Sequence, residues 1–476
     1  MRRGPRFLLL ALVALLGLAA WLGYGLWHRH RIVAQHLPAT PTLAGAPATL
    51  SDQIGDATLQ ARHWRHAPRG LAQLSRLYHA NGFYPEALQC YQGLSALEPR
   101  NARWPHLTAS IITNYGRMDE ALPLRRQAVA LAPDYLPAHL RLGDVLLKGN
   151  QATEASAAYA EALRRAPGNP FALLGLARCD LAAGDWSRAR TRLQEAVARN
   201  PDFIGALSLL VTVSEHFGDR ATADALRLTI GRREFSDLPD PWVDELTEVC
   251  FDAYRLSVAA AVANAAGDRA TALALLERAI ILAPQASTYH RQAGQLRLDE
   301  NNFAAARDHL EKAVALNPTD SDAWLRLMDA YRGMGQTQPA VRAMLTGLTH
   351  CPQSPSLHLE HARWLRANNR LDEAIAEFRV SHLLRPSEAS TLVELATSYV
   401  TAGRTAEAVV TLNQALERQP DHPIALATLA LLAVNSRDEP EALRLWALIR
   451  LQPKTPPAVV SRLQQTFSAQ FGRPLP

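Results

Sequence analysis

Cysteine is scarce, with four in 476 residues and none in CxxC spacing. That excludes a disulfide-stapled scaffold and a CxxCH haem attachment. Lysine is scarcer, supplying three of the 50 basic side chains. Acidic residues are missing altogether from the first 31 positions, where Arg2, Arg3, Arg6, Arg29 and Arg31 account for the whole formal charge of +5. Beyond Arg31 the basic and acidic side chains balance at 45 each, so the overall charge gives no support to nucleic-acid binding. Also missing are a GxSxG elbow, a GxxxxGK phosphate loop and an HExxH pair. The pairs His28/His30 and His63/His66 lack Cys, Asp or Glu at ligand spacing, so no metal ion is expected. No cofactor and no catalytic residue is expected either. Hydrophobic and charged fractions of 48% and 20% exclude wholesale disorder.

A long uncharged run is present. Phe7 to Trp27 reads FLLLALVALLGLAAWLGYGLW, which as a helix spans about 31 Å, the thickness of a bilayer's hydrocarbon core. Trp21, Tyr24 and Trp27 gather at one end, where aromatic rings favour the interface. The run exceeds the apolar core of a cleaved signal, so residues 7–27 are expected to anchor the chain in the lipid bilayer after a basic tail, residues 1–6. The Arg distribution places the tail inside and the bulk of the chain outside the cytoplasm. Residues 28–67 are expected to hold a linker, extended over 32–50 with Pro38, Pro41 and Pro47, and an N-terminal helix.

The rest of the chain repeats itself. Pro99, Pro133, Pro167 and Pro201 are spaced by 34 residues, as are Pro284, Pro318, Pro352, Pro386 and Pro420. Alanine keeps the same beat at 87, 121, 155, 189 and 223, then at 272, 306, 340, 374, 408 and 442. Five positions before each of the first ten stands Gly or Asn: Gly82, Gly116, Asn150, Gly184, Gly218, Gly267, Asn301, Gly335, Asn369 and Gly403. Gly and Asn accept the left-handed conformation that ends a helix. The alanine lets the next helix pack closely, and the proline stops it. Each unit is therefore a pair of antiparallel helices.

This period, with Leu142-Gly143, Ala155, Tyr159, Ala162 and Pro167 in its clearest copy, resembles the tetratricopeptide repeat. The resemblance implies an all-α fold, a right-handed superhelical solenoid of about eleven helix-turn-helix repeats behind one transmembrane helix. Repeats 1–5 occupy residues 68–237 and repeats 6–11 residues 253–455. The fifth is degenerate, with Phe235 for proline, and the last has Arg437 for glycine and Pro453 one residue early. Val459, Val460, Leu463, Phe467 and Phe471 form one apolar stripe, so residues 456–476 read as a capping helix. Fifteen residues break the period at 238–252, LPDPWVDELTEVCFD. This acidic insertion reads as a spacer at a joint between two sub-arrays, or as a docking element with Trp242, Asp244 and Glu245 as its candidates.

Family geometry implies a groove lined by the first helix of each pair, which accepts a protein or peptide partner. Its N-terminal part is polar and basic, with Arg69, Arg76, Arg103, His106, Asn114 and Arg178, and suits carboxylates. Arg363 and Arg366 lie in a mixed middle, and Val393, Val400, Ile424, Leu431 and Val434 make an apolar end suited to a hydrophobic helix or strand. Chaperone-binding relatives hold a Glu-Glu-Val-Asp tail with Lys, Asn and Arg. Of the matching positions Ala72, Arg76, Leu107, Pro137 and Arg141, only the last agrees. Groove aromatics, which sugar-holding solenoids usually display, are few here, with Phe171 and Tyr254 nearly alone.

The plan resembles bacterial membrane-anchored tetratricopeptide-repeat proteins. That resemblance implies a non-enzymatic scaffold in the inner membrane, single-pass, with its C-terminal domain in the periplasm and a role in assembling an envelope complex. The alternative is a cargo-holding or accessory subunit of an envelope enzyme system: cytochrome maturation, exopolysaccharide synthesis or glycosyl transfer.

Overall fold

The structure is a computed structural model that describes residues 4–44, 46–230, 238–451 and 456–475, with the side chains of 4–11, 13, 14, 228 and 229 outside the description. Among the described residues it is all-α, an array of 26 α-helices and one 3-10 segment. The chain divides into two compact units, residues 1–284 and 285–476. The first opens with α1 (Gly4–His36) and α2 (Ala48–Arg62). Its pairs are α3 (Ala67–Ala80) and α4 (Tyr84–Leu97), α5 (Arg103–Asn114) and α6 (Met118–Leu131), and α7 (Leu136–Lys148) and α8 (Ala152–Arg165). Then follow α9 (Pro170–Ala182) and α10 (Trp186–Arg199), and α11 (Ile204–His216) and α12 (Arg220–Ile230). The short α13 (Pro241–Asp244) runs into a 3-10 segment, Glu245–Val249, before α14 (Ala253–Ala265) and α15 (Arg269–Leu282). The second unit holds α16 (Ser287–Asp299) to α17 (Phe303–Leu316), α18 (Ser321–Gly333) to α19 (Thr337–His350), and α20 (Pro355–Ala367) to α21 (Leu371–Leu384). It ends with α22 (Ala389–Thr401) to α23 (Thr405–Arg418), α24 (Pro423–Asn435) to α25 (Glu439–Arg450), and α26 (Pro457–Phe471).

Eleven pairs turn on a residue of positive φ, the ten Gly and Asn positions of the repeat and Arg437. The turns close as helix C-caps do. The amide of Gln151, just after Asn150, donates to the Leu146 carbonyl at 2.9 Å. Five residues on, every alanine of the column is at most 3% exposed, because the paired helices approach until only a methyl fits. Arg437, at φ 60, pays the steric cost of a Cβ in this region, roughly 1–2 kcal/mol. Arg437→Gly is expected to stabilise the last pair by about 0.5–1 kcal/mol after the added backbone entropy of glycine. Slower native-state hydrogen exchange across α24 and α25 is the measurement, and faster exchange would refute it.

Two sequence expectations change. Residues 32–50 are not all extended: α1 continues to His36 because its last turns pack on α4, with Val33 fully buried. Gly93 makes the room, since a Cβ there would stand 2.7 Å from that of His36. Nor is the insertion the joint between sub-arrays, since the division falls after Pro284 and residues 238–252 belong to the first unit. Phe235, Pro453 and Thr455 lie outside the described residues. Among the described residues no helix is long and apolar enough to cross a membrane. Residues 7–11, 13 and 14 of the expected span have side chains outside the description, while Leu15, Leu16, Leu18, Trp21 and Leu22 are exposed on α1.

Candidate functional site

The first helices of repeats 1–3 and the insertion build one site. Leu238 is buried in the core around Tyr159, and the chain then turns across the start of α7, across α5, and on to the end of α3. Asp240 opens α13 by accepting the amides of Val243 and Asp244 at its carbonyl, both at 2.8 Å. Trp242 lies flat on Tyr135, with ring centroids 3.6 Å apart and planes 11° apart. The edge of His106 meets Trp242 at 5.4 Å, and the Arg103 guanidinium sits 5.9 Å from the Trp242 centroid. The Tyr135 hydroxyl donates to Asp240 at 2.5 Å and accepts the Trp242 amide at 3.1 Å.

Further along, Arg103 pairs with Glu245, and Arg76 donates to the Glu248 carboxylate at 2.7 Å and to the Glu245 carbonyl at 3.3 Å. Asn81 grips the backbone from both sides, donating to the Val249 carbonyl at 2.9 Å and accepting the Phe251 amide at 2.7 Å. Arg278 on α15 donates to the carbonyls of Thr247 and Cys250, each at 2.8 Å. The two Arg–Glu pairs stand in solvent, where such pairs contribute at most about 1 kcal/mol each. Register is decided by the aromatic stack and by the buried charges beneath it.

Those charges form a chain. His106, Asp240 and Arg125 are 0%, 1% and 2% exposed. The His106 Nε2 lies 2.7 Å from Asp240 Oδ2, and its Nδ1 lies 3.2 Å from Arg125 Nη1. A carboxylate can only accept and a guanidinium can only donate, which assigns a neutral imidazole protonated on Nε2. Burial holds the His106 pKa below its ordinary value, against the opposing pull of Asp240, and Arg125 and Arg141 add to the lowering. Burial pushes Asp240 up, but hydrogen bonds from His106 and Tyr135 and the charge of Arg141 leave it below the usual range. Burial brings Arg125 down to about 10.

A pH dependence follows. His106 and Asp240 both bind protons less readily in the folded site than in an unfolded chain, so the folded site is fully stabilised above their ordinary pKa values and loses strength as pH falls. His106 begins this loss below its ordinary 6.5, and Asp240 adds to it below 3.8. Amide exchange across residues 240–249, corrected for intrinsic rates, is expected to show less protection at pH 5.5 than at pH 7.5. Equal protection would refute the coupling.

The structure thus unites Arg76, Arg103 and His106 with Trp242 and Glu245, which the sequence presented as separate candidates. Asp244 stays exposed and is used locally, accepting the Asp240 amide at 3.0 Å. Arg69 is exposed and pairs with none of these carboxylates. Asn114 lines a cavity of about 360 Å³ under the insertion, together with His79, Arg125, Arg141, Lys148 and Arg255. Arg178 is exposed at a neighbouring cavity of about 310 Å³. Tyr135 and Arg125 were missed. Tyr135 sits in the turn before α7 and Arg125 on a second helix, outside the positions that repeat geometry assigns to the groove.

In the second unit the expected apolar end of the groove divides between core positions and partly exposed ones. Val393 and Val434 are buried, and Val400, Ile424 and Leu431 pack against the same core, which also contains Leu463 and Phe467 of α26. An amphipathic period places residues on a face but does not say whether a neighbouring helix covers it. Arg363 and Arg366 both bind Glu394 at 2.9 Å, so their guanidinium groups are engaged internally. Phe171, half-buried, packs on the buried Phe203, with centroids 4.7 Å apart, at the edge of the core.

Two models of the tetratricopeptide repeat match the chain. One covers residues 114–170, 258–321 and 393–456 and the other 147–212 and 297–359, together more than half its length. Cellulose synthase operon protein C of Xanthomonas axonopodis pv. citri (strain 306) is 28% identical over 278 residues, 56% of this chain and 18% of its own length. Cellulose synthase 1 operon protein C of Komagataeibacter xylinus is 27% identical over 277 residues, 55% and 19% respectively. The chain thus spans less than a fifth of the length of these curated relatives. Among solved structures, yeast Tom70 aligns over 86% of this chain and 97% of its own at 14% identity, with a TM-score of 0.38. YrrB, a TPR protein with an unusual peptide-binding site, aligns over 37% and 91% at 22% identity, with a TM-score of 0.31.

Proposed function

We propose that this chain, which belongs to the tetratricopeptide-repeat family, is a non-catalytic scaffold serving a bacterial exopolysaccharide-synthesising system of the cellulose synthase kind. The observation that carries the scaffold reading is the first unit's groove, which holds an acidic, tryptophan-bearing segment by side-chain and backbone bonds. The polysaccharide setting rests on the two operon proteins matched over more than half of this chain. In this reading α1 tethers the protein to the inner membrane as a single-pass anchor, and the repeats stand in the periplasm. The uncharged run from Phe7 to Trp27 and the leucines exposed on α1 support the tether. The Arg residues before the run support the orientation.

The test is crosslinking of C-terminally tagged full-length protein in intact cells of its host, with mass spectrometry of what is captured and polymer output measured in a deletion strain. Capture of a polysaccharide synthase or export component, with polymer output reduced several-fold, is the expected result. Capture of unrelated envelope proteins with unchanged polymer would discard the polysaccharide setting, and cytosolic partners would reverse the topology. No protein captured at all would refute the scaffold.

A further inference from the structure

We propose that the groove formed by α3, α5 and α7 is a receptor for an acidic, tryptophan-centred segment of a partner protein, and that residues 238–252 occupy it in cis as a releasable stand-in. This rests on the scaffold reading and names the chemistry of its partner. The bound segment is held as a ligand is held. Asn81 pairs with its backbone at Val249 and Phe251, and Arg76 and Arg103 meet its carboxylates at the solvent rim. Its Trp242 stacks on a tyrosine that belongs to the repeats.

The repeats beneath do not need it to close their helix pairs. Ala87, Ala121 and Ala155 seal the three pairs at 0% exposure, and the segment lies outside the 34-residue period. What it does satisfy is the groove's own buried charge, since Asp240 is the carboxylate facing His106 and, through it, Arg125. The Arg125 Nε has no hydrogen-bond partner even so, and a cavity of about 360 Å³ remains under the segment. The stand-in therefore fills the groove incompletely.

The contacts define the partner. It must present a carboxylate to His106 and Tyr135, an indole two residues later for Tyr135, and carboxylates five and eight residues later for Arg103 and Arg76. That is Asp-x-Trp-x-x-Glu-x-x-Glu, the spacing of Asp240, Trp242, Glu245 and Glu248. Because the stand-in is tethered, its effective concentration is on the order of millimolar, and an incoming segment must compete with it.

The test uses full-length protein in mild detergent and a fluorescein-labelled synthetic peptide of residues 238–252 with Cys250→Ser, read by fluorescence anisotropy. A chain with residues 240–249 replaced by a Gly/Ser segment of equal length is expected to bind the peptide at least about tenfold tighter than wild type. Adding Arg103→Glu and Asn81→Ala to that chain, or Asp240→Ala to the peptide, is expected to weaken binding at least about tenfold. Equal affinity for wild type and the replaced chain overturns the proposal, as does no binding by a replaced chain that keeps its helical circular dichroism. If the replaced chain does not fold, Trp242→Ala in the intact chain takes its place. It is expected to speed amide exchange over 240–249 and to raise peptide affinity, and no change in either overturns the proposal. In-cell capture that survives Arg103→Glu and Asn81→Ala would sink this proposal alone. Tight peptide binding without any in-cell capture would sink the scaffold reading instead.

Discussion

Asp240→Ala is expected to shift the docking equilibrium of the insertion by about 3–5 kcal/mol, two orders of magnitude or more in population. The substitution removes the acceptor of both the His106 Nε2 proton and the Tyr135 hydroxyl. It also takes from Arg125, almost fully buried, one of its two nearby carboxylates, leaving Asp144. Removing one member of a buried polar cluster costs more than that member's net contribution, because its former partners stay buried and less well satisfied. The loss has a ceiling. Once it exceeds the free energy of docking, the segment leaves and water solvates His106 and Arg125. The measurement is amide exchange across residues 240–249, expected to approach that of a free loop while α9 and α10 keep their protection. Arg125→Leu in the same chain is expected to recover part of the docking, because removing both charges that His106 bridges is less costly than removing one. An exchange rate within threefold of wild type in Asp240→Ala would mean that the rim pairs alone hold the insertion.

Phe467→Ala is expected to destabilise the end of the second unit by about 3–5 kcal/mol, as large-to-small changes at buried aromatic positions do. Phe467 is fully buried, 4.7 Å from the ring of Phe471, in the core cluster that joins α26 to α22, α24 and α25. Its removal leaves a cavity under a helix whose role is to cover the apolar face of the last pair. In a repeat array stability is close to a sum of neighbour terms, so the damage stays local. Hydrogen exchange should accelerate over α24 to α26 and remain unchanged over α16 to α19. Leu451→Ala is the control, since Leu451 is 75% exposed and a change there is expected within about 0.5 kcal/mol of neutral. Uniform acceleration across the unit would show that it unfolds as one cooperative body.

Much of the architecture was legible because the repeat writes its contacts in local chemistry. The alanine column reports helices closer than a larger side chain allows, and the Gly and Asn column reports a left-handed turn. Even Arg437, which breaks the column, adopts φ 60 because its neighbours impose the turn. The cap was legible from the stripe ending at Phe471 for the same reason, as its period is that of one helix. The apolar groove was not legible. The residues of α24 are apolar on nearly every face, so nothing local distinguishes Ile424 and Leu431, at the edge of the core, from Val434 within it.

By itself the sequence determined the helical pairs, their turns, their close contacts and the acidic character of the insertion, since each depends on residues within one 34-residue period. Only the tertiary structure decided that the basic groove and the acidic insertion are one site. Glu245 meets Arg103 across 142 positions, and Asp240 meets His106 across 134. A contact of that reach is set by how successive pairs stack, and stacking is a property of the packed array that no single repeat contains.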